Sequence, residues 1–245
     1  MRGLPKLKIA GLVMDIRHDN PILNRQISDY LTEEDPDFIV EISQEYIEKE
    51  IEEEVRQNKN FPPEYSEYLA IYRYICTKIL DYHGFLMHGS ALGINGKGYL
   101  FCAPSGTGKS THTRLWREAF GDSVTMINDD KPIILKKNGV FYVCGTPWSG
   151  KHDLDTNISL PLSGIILLSR GKENRLEKAS PTHLLGLLFN QIFRPSDENA
   201  YLKTIDLVDE MLASCPLYRL FCTPEKEAAE VAYRALTSQT NATTT

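Results

Sequence analysis

Apolar and polar positions along the chain change period several times, and each change marks an element. Residues 7–16, LKIAGLVMDI, and 37–43, DFIVEIS, are rich in β-branched and aliphatic residues and read as two strands, with a polar stretch over 17–36 between them. The acidic run EYIEKEIEEEVRQNKNFPPE fits either a helix or a solvated strand. Its charge reads as a surface face, and Pro62 and Pro63 end it. From 66 to 82 the apolar residues of YLAIYRYICTKIL recur at helical spacing, which predicts an amphipathic helix packed on the main sheet.

Two apolar runs then flank Asn95-Gly96, the signal for a hairpin whose two-residue turn needs positive φ at both central positions. The second run leads into CAPSGTGKST, residues 102–111, and TRLWREAF continues as a helix. SVTMIND reads as a strand closing on Asp129-Asp130. PIILKK and VFYVCG form a hairpin around Asn138-Gly139, and LPLSGIILLSR holds a buried strand. PTHLLGLLFNQIF and EKEAAEVAYRAL are helices by periodicity, and TSQTNATTT, residues 237–245, is expected to be a disordered tail. The chain has no internal repeat.

Composition narrows the partners. At 245 residues and 42% hydrophobic content, the chain suits one large domain or a domain with a smaller appendage. Its formal net charge of -6 and lack of a basic stripe argue against non-specific nucleic-acid binding, which needs clustered Lys and Arg. The apolar run at 9–14 is too short for a signal sequence or a membrane span, so a cytoplasmic location without membrane attachment is expected. Five widely spaced cysteines, none in a CxxC pair, read as buried small hydrophobes, with neither a disulfide nor a zinc site.

The chemistry centres on 103–110, APSGTGKS. It fits the phosphate-binding pattern GxxxxGK[ST] at every position except the first, where Ala103 replaces glycine. Gly106 and Gly108 let backbone N–H groups converge on phosphate oxygens at a helix N-terminus. The expected nucleotide contacts are Ala103, Pro104, Ser105, Gly106, Thr107, Gly108, Lys109, Ser110 and Thr111. Lys109 would charge-pair the β- and γ-phosphates, and Ser110 would offer a hydroxyl to Mg²⁺. Downstream, Asp129 and Asp130 end an apolar strand. One carboxylate would hold the metal and its neighbour would take a proton from an attacking hydroxyl; we assign Asp129 to the metal and Asp130 to the base.

The order MHGSA, hairpin, SGTGKS, then a strand ending in Asp-Asp resembles the catalytic domain of bacterial HPr kinase/phosphorylase. It is also similar to the nucleotide-binding half of ATP-dependent phosphoenolpyruvate carboxykinase. The likeness covers roughly residues 84–170. It implies an α/β fold with a mixed sheet and a P-loop core over 66–236, preceded by a small α+β segment over 1–65 for partner or substrate recognition. It also implies ATP and Mg²⁺ as cofactors, places His88 at the active site, and allows a homo-oligomer. The segment GTPWSGK, residues 145–151, could be a second phosphate-contacting loop, with Lys151 neutralising the transferring phosphoryl group. Arg114, Arg117 and Arg194 are further candidates for the nucleotide or substrate. Trp116 reads as core, and His112 has no evident partner. No stretch of the sequence matches the glycine-rich segment with which HPr kinase engages its protein substrate, nor the full metal-ligand set of the carboxykinase, so neither HPr as substrate nor decarboxylation is expected.

These features predict a kinase moving the γ-phosphate of ATP to a Ser/Thr hydroxyl on a protein, peptide or small molecule. The alternatives are a nucleotide-sensing module without transfer and a pyrophosphate- or phosphate-dependent phosphotransferase.

Overall fold

A computed structural model of the protein describes residues 4–241. The first expected strand is in fact a hairpin, β1 (Lys6–Ile9) and β2 (Leu12–Ile16), because Ala10 and Gly11 both take positive φ. Alanine seldom adopts that conformation, so the turn carried no Asn-Gly signature. Within the polar stretch, α1 (Pro21–Gln26) is capped by Asn20, whose side chain accepts from the N–H groups of Ile22 and Leu23. β3 (Phe38–Val40) runs parallel to β2 and completes a three-stranded sheet.

The acidic run resolves as a helix, α2 (Gln44–Arg56). Ser43 accepts from Tyr46 N–H at its start, and the pairs Glu45–Lys49 and Glu52–Arg56 lie one turn apart on its exposed face. α3 (Pro63–Lys78) buries Ala70, Ile71, Ile75 and Cys76 in a core shared with Ile9, Met14 and Val40 on one side and Ile133, Leu135 and Cys144 on the other. The helix expected on the main sheet therefore packs between the two sheets.

The larger sheet has nine strands: β4 (Gly84–Leu86), β5 (Ser90–Ile94), β6 (Lys97–Cys102), β7 (Val124–Asn128), β8 (Ile133–Lys137), β9 (Val140–Cys144), β10 (Ser159–Arg170), β11 (Arg175–Lys178) and β12 (Leu217–Cys222). Asn95-Gly96 and Asn138-Gly139 both form the positive-φ turns their sequences predict. Helix α4 (Lys109–Phe120) follows β6; α5 (Pro181–Phe189), α6 (Glu198–Ser214) and α7 (Glu227–Asn241) complete the chain. α7 includes 237–241, which the polar composition had placed in the tail; 242–245 lie outside the described residues. No expectation covered α6, β11 or β12. The signal for α6 was nevertheless present: Asp197 caps Ala200 N–H, and Ala200, Thr204, Leu207, Val208 and Met211 recur on one buried face.

Strand order explains where chemistry collects. β5 lies between β6 and β7 and is antiparallel to both, so β6 and β7 run in the same direction and end at the same edge. β5 begins at that edge, with Ser90 opposite Phe101 and Ala91 opposite Asn128. β10 pairs parallel to β6 and to β12, which brings the ends of those strands, Arg170 and Cys222, close to the loop after Cys102. Carboxyl ends of parallel strands are where open α/β sheets leave a crevice for ligands. α4 covers this face with Trp116, which is fully buried among Tyr99, Phe101 and Tyr233. Among the described residues no helix is long and apolar enough to cross a membrane.

Candidate functional site

The loop at 103–108 links β6 directly to α4. Gly106 and Gly108 have φ of 75° and 117°, left-handed values that a side chain at either position would resist. Gly108 caps α4, so the helix presents its free N–H groups and positive end at the loop. Lys109 is the first helical residue and is buried, with Nζ donating to the Ala103 carbonyl at 2.9 Å. Burial pulls its ammonium below its ordinary pKa, opposed by Cys102, Asp130 and Asp129. Ser110 is exposed in the first turn of the helix.

Beside β6, the Asp129-Asp130 turn is built by Asn128. Its Oδ1 accepts from the N–H groups of Asp130 (2.8 Å) and Lys131 (2.6 Å), while its Nδ2 donates to Thr146 O (2.8 Å) and Oγ1 (3.0 Å). One buried amide thus locks the carboxylate turn to the GTPWSGK segment. Asp129 is buried and accepts from Ser90 Oγ at 2.6 Å. Ser90 Oγ in turn lies 3.0 Å from Thr113 Oγ1, which ties Asp129 to the first turns of α4. Asp130 faces the other way: His88 Nε2 is 3.2 Å from its Oδ1, and Lys131 donates to its Oδ2. Burial raises the Asp130 pKa, but the His88 hydrogen bond and the Lys131 charge outweigh it, leaving the carboxyl below its ordinary value. His88 itself is held by its backbone, its N–H donating to Gln191 O at 2.6 Å, while Gly89 N–H donates to Asp130 O at 2.9 Å.

A cleft of about 420 Å³ brings these groups together. It is lined by Ser105, Gly106, Gly108, Lys109, Ser110 and Thr111 of the loop and helix, by His88, Asp129 and Asp130, and by Ser149, Gly150, Lys151 and His152. Gly150 has φ of 79°, and a Cβ there would lie 3.0 Å from the Asp130 Cβ, so glycine suits both the backbone conformation and the close approach of the second loop to the carboxylate. The N-terminal segment braces the chain just after this loop: Tyr30 Oη donates to Asp155 Oδ1 at 2.7 Å, and Asn157 Nδ2 donates to Lys8 O and Asp29 O, both at 3.1 Å.

Ala103, Pro104 and Thr107 belong to the loop but do not line the cleft, although Ala103 O holds Lys109 and Pro104 O accepts from Thr107 N–H at 3.2 Å. The three candidate arginines lie elsewhere. Arg114 pairs with Glu118, Arg117 Nε is buried without a hydrogen-bond partner among the described residues, and Arg194 lines a separate groove with Glu50 and Arg56. Trp116 is core, as expected.

Lys131, His152 and Arg170 were not expected. Lys131 stands directly after Asp-Asp, so its place in the sequence was the available signal. Arg170, whose NH2 donates to Gly106 O at 2.8 Å, gave none, because its position depends on β10 pairing with β6.

All five cysteines are free, and four are buried. Among the described residues no group of three or more His, Cys, Asp or Glu side chains forms a metal cluster. A hard divalent ion held partly by phosphate needs only one or two carboxylates besides water and a hydroxyl, and Asp129 and Ser110 offer such a pair in one cleft.

Neither a protein-family model nor a curated protein matches the chain. Among solved structures it is similar to the Hpr(Ser) kinase/phosphatase from Coxiella burnetii, at 13% identity over 52% of this chain and 87% of that one, with a TM-score of 0.28. A likeness of that size carries no functional argument, so function has to follow from the cleft.

Proposed function

We propose that the protein is an ATP-dependent phosphotransferase that carries a γ-phosphoryl group to an alcohol hydroxyl. The observation that supports this reading is the convergence in one cleft of Lys109 and Ser110, at the start of the loop-capped helix, with the paired carboxylates Asp129 and Asp130. The backbone N–H groups of the glycine loop and the α4 N-terminus face phosphate oxygens, and Lys109 adds a point charge. Ser110 and Asp129 would hold Mg²⁺, which supplies charge neutralisation at the phosphates.

Asp130 is ionised at neutral pH and stands against His88. It takes the proton of the acceptor hydroxyl as that oxygen bonds to the γ-phosphorus and the bond to the bridging oxygen of ADP breaks. Lys151 offsets negative charge on the moving group. Two carboxylates with different hydrogen-bond partners favour a hydroxyl acceptor over simple nucleotide holding, because binding alone needs no second acid.

The test is transfer of label from γ-labelled MgATP in extract from the source organism, followed into protein, peptide and small-molecule fractions. Wild type is expected to label one fraction, and Asp130→Asn to lower the rate about a hundredfold or more. Tight ATP binding with no label in any fraction would reject transfer and leave a nucleotide-sensing module.

A further inference from the structure

A second cavity, of about 490 Å³, opens on the other side of the glycine loop. It shares Gly106, Gly108 and Thr111 with the carboxylate cleft and is otherwise walled by Thr107 of the loop, by His112 and Leu115 of α4, and by Arg170, Gly171, Cys222, Thr223 and Pro224 at the ends of β10 and β12. The loop therefore stands between a cleft rich in charge and a mostly apolar cavity. A nucleotide has the same two-part chemistry, with a terminal phosphate at one end and a flat, weakly polar ring at the other.

His112 marks this cavity as a binding site. It is 2% exposed, and its Nε2 accepts from Trp116 Nε1 at 3.0 Å. The indole N–H can only donate, so Nε2 is unprotonated and a neutral ring carries its hydrogen on Nδ1. Nδ1 is buried without a hydrogen-bond partner among the described residues. A buried donor left unpaired is costly, and such orphans in native proteins commonly await a ligand or water. Two other polar groups around the cavity are already engaged: Arg170 with Gly106 O, and Thr223 with Asn174 Oδ1 through both N–H and hydroxyl.

We propose that this cavity takes the base of the phosphoryl donor and that His112, through Nδ1–H, is a specificity residue that donates to an unprotonated ring nitrogen of a purine. A bicyclic purine combines apolar faces for Leu115 and Pro224 with acceptor nitrogens at its edges. Trp116 acts behind His112 as a positioning residue, fixing which nitrogen holds the proton. The inference rests on the phosphate-loop reading of the preceding section, and its test separates the two.

Competitive binding to the full chain with Mg²⁺ would compare ATP, CTP, inorganic tripolyphosphate and the 1-, 3- and 7-deaza analogues of ATP. ATP is expected to bind about tenfold or more tightly than tripolyphosphate or CTP, and one deaza analogue to bind about tenfold more weakly than ATP, the effect of one lost hydrogen bond. This analogue series needs no variant to fold. His112→Phe should bind tripolyphosphate as wild type does while no longer distinguishing the deaza analogues. If tripolyphosphate or CTP binds as tightly as ATP, or all three deaza analogues match it, the assignment of the cavity and of His112 is overturned while the phosphate loop stands. If tripolyphosphate and ATP both fail to bind, the phosphate loop falls and this inference with it.

Discussion

The two hollows beside the glycine loop share three residues and differ in how their polar groups are satisfied. On the carboxylate side, Asn128 uses both ends of its amide, Asp129 is fixed by Ser90, and Asp130 is shared between His88 and Lys131. On the other side, Leu115, Cys222 and Pro224 form apolar walls around a buried imidazole with one unanswered donor. A network that is already complete holds charges at fixed positions, which is the electrostatic preorganisation that the proposed phosphoryl transfer would use. An incomplete one has capacity left for a ligand's hydrogen bond.

The largest expected effect separates the two sides outright. On the proposed function, Asp129→Asn should lower phosphoryl transfer about a hundredfold or more, by removing the carboxylate assigned to Mg²⁺, yet leave the ranking of ATP over its deaza analogues unchanged. Steady-state kinetics and competitive binding on the same preparation check both halves. If the ranking also collapses, the two hollows are coupled and the comparison fails.

Asn128→Ala comes next. It removes four hydrogen bonds at a fully buried position and leaves the Thr146 carbonyl to find another donor, so a loss of about 3 kcal/mol in unfolding free energy is expected in urea titration. A change below about 0.5 kcal/mol would mean that the carboxylate turn holds its shape without this amide.

The smallest effect concerns pH. Because the folded-state pKa of Asp130 lies below its ordinary value, its ion pair stabilises the protein above that value and is lost as pH falls through the folded pKa. With Asp130 as the base proposed above, phosphoryl transfer should fade over the same acid range. His88→Ala removes a hydrogen bond that lowers this pKa, so the acid limb of the pH-rate profile should move to higher pH. An unmoved limb would show that Lys131 alone sets the carboxyl.

Legibility in the sequence followed the range of the interaction. Asn95-Gly96 and Asn138-Gly139 declared their turns because the needed backbone conformation is a property of those residues. Ala10-Gly11 did not, and one expected strand became two. Asp129 and Asp130 could be named as a pair, but their division of labour came from Ser90 and His88, brought beside them by the strand order. His112 stood without a partner until helical spacing placed Trp116 behind it and β12 closed the cavity in front.

By itself, then, the sequence determined the glycine loop and the helix it starts, the carboxylate pair and most of the strand-forming segments, since these depend on local conformation and on the period of burial. Only the tertiary structure decided that β5 would sit between β6 and β7, that β12 would pair with β10, and that 145–151 would fold against Asp130. Burial period says which face of a strand is covered and is silent on its neighbour. The pairing partners are selected by the packing of the whole sheet, and at this edge the pairing is what makes the site.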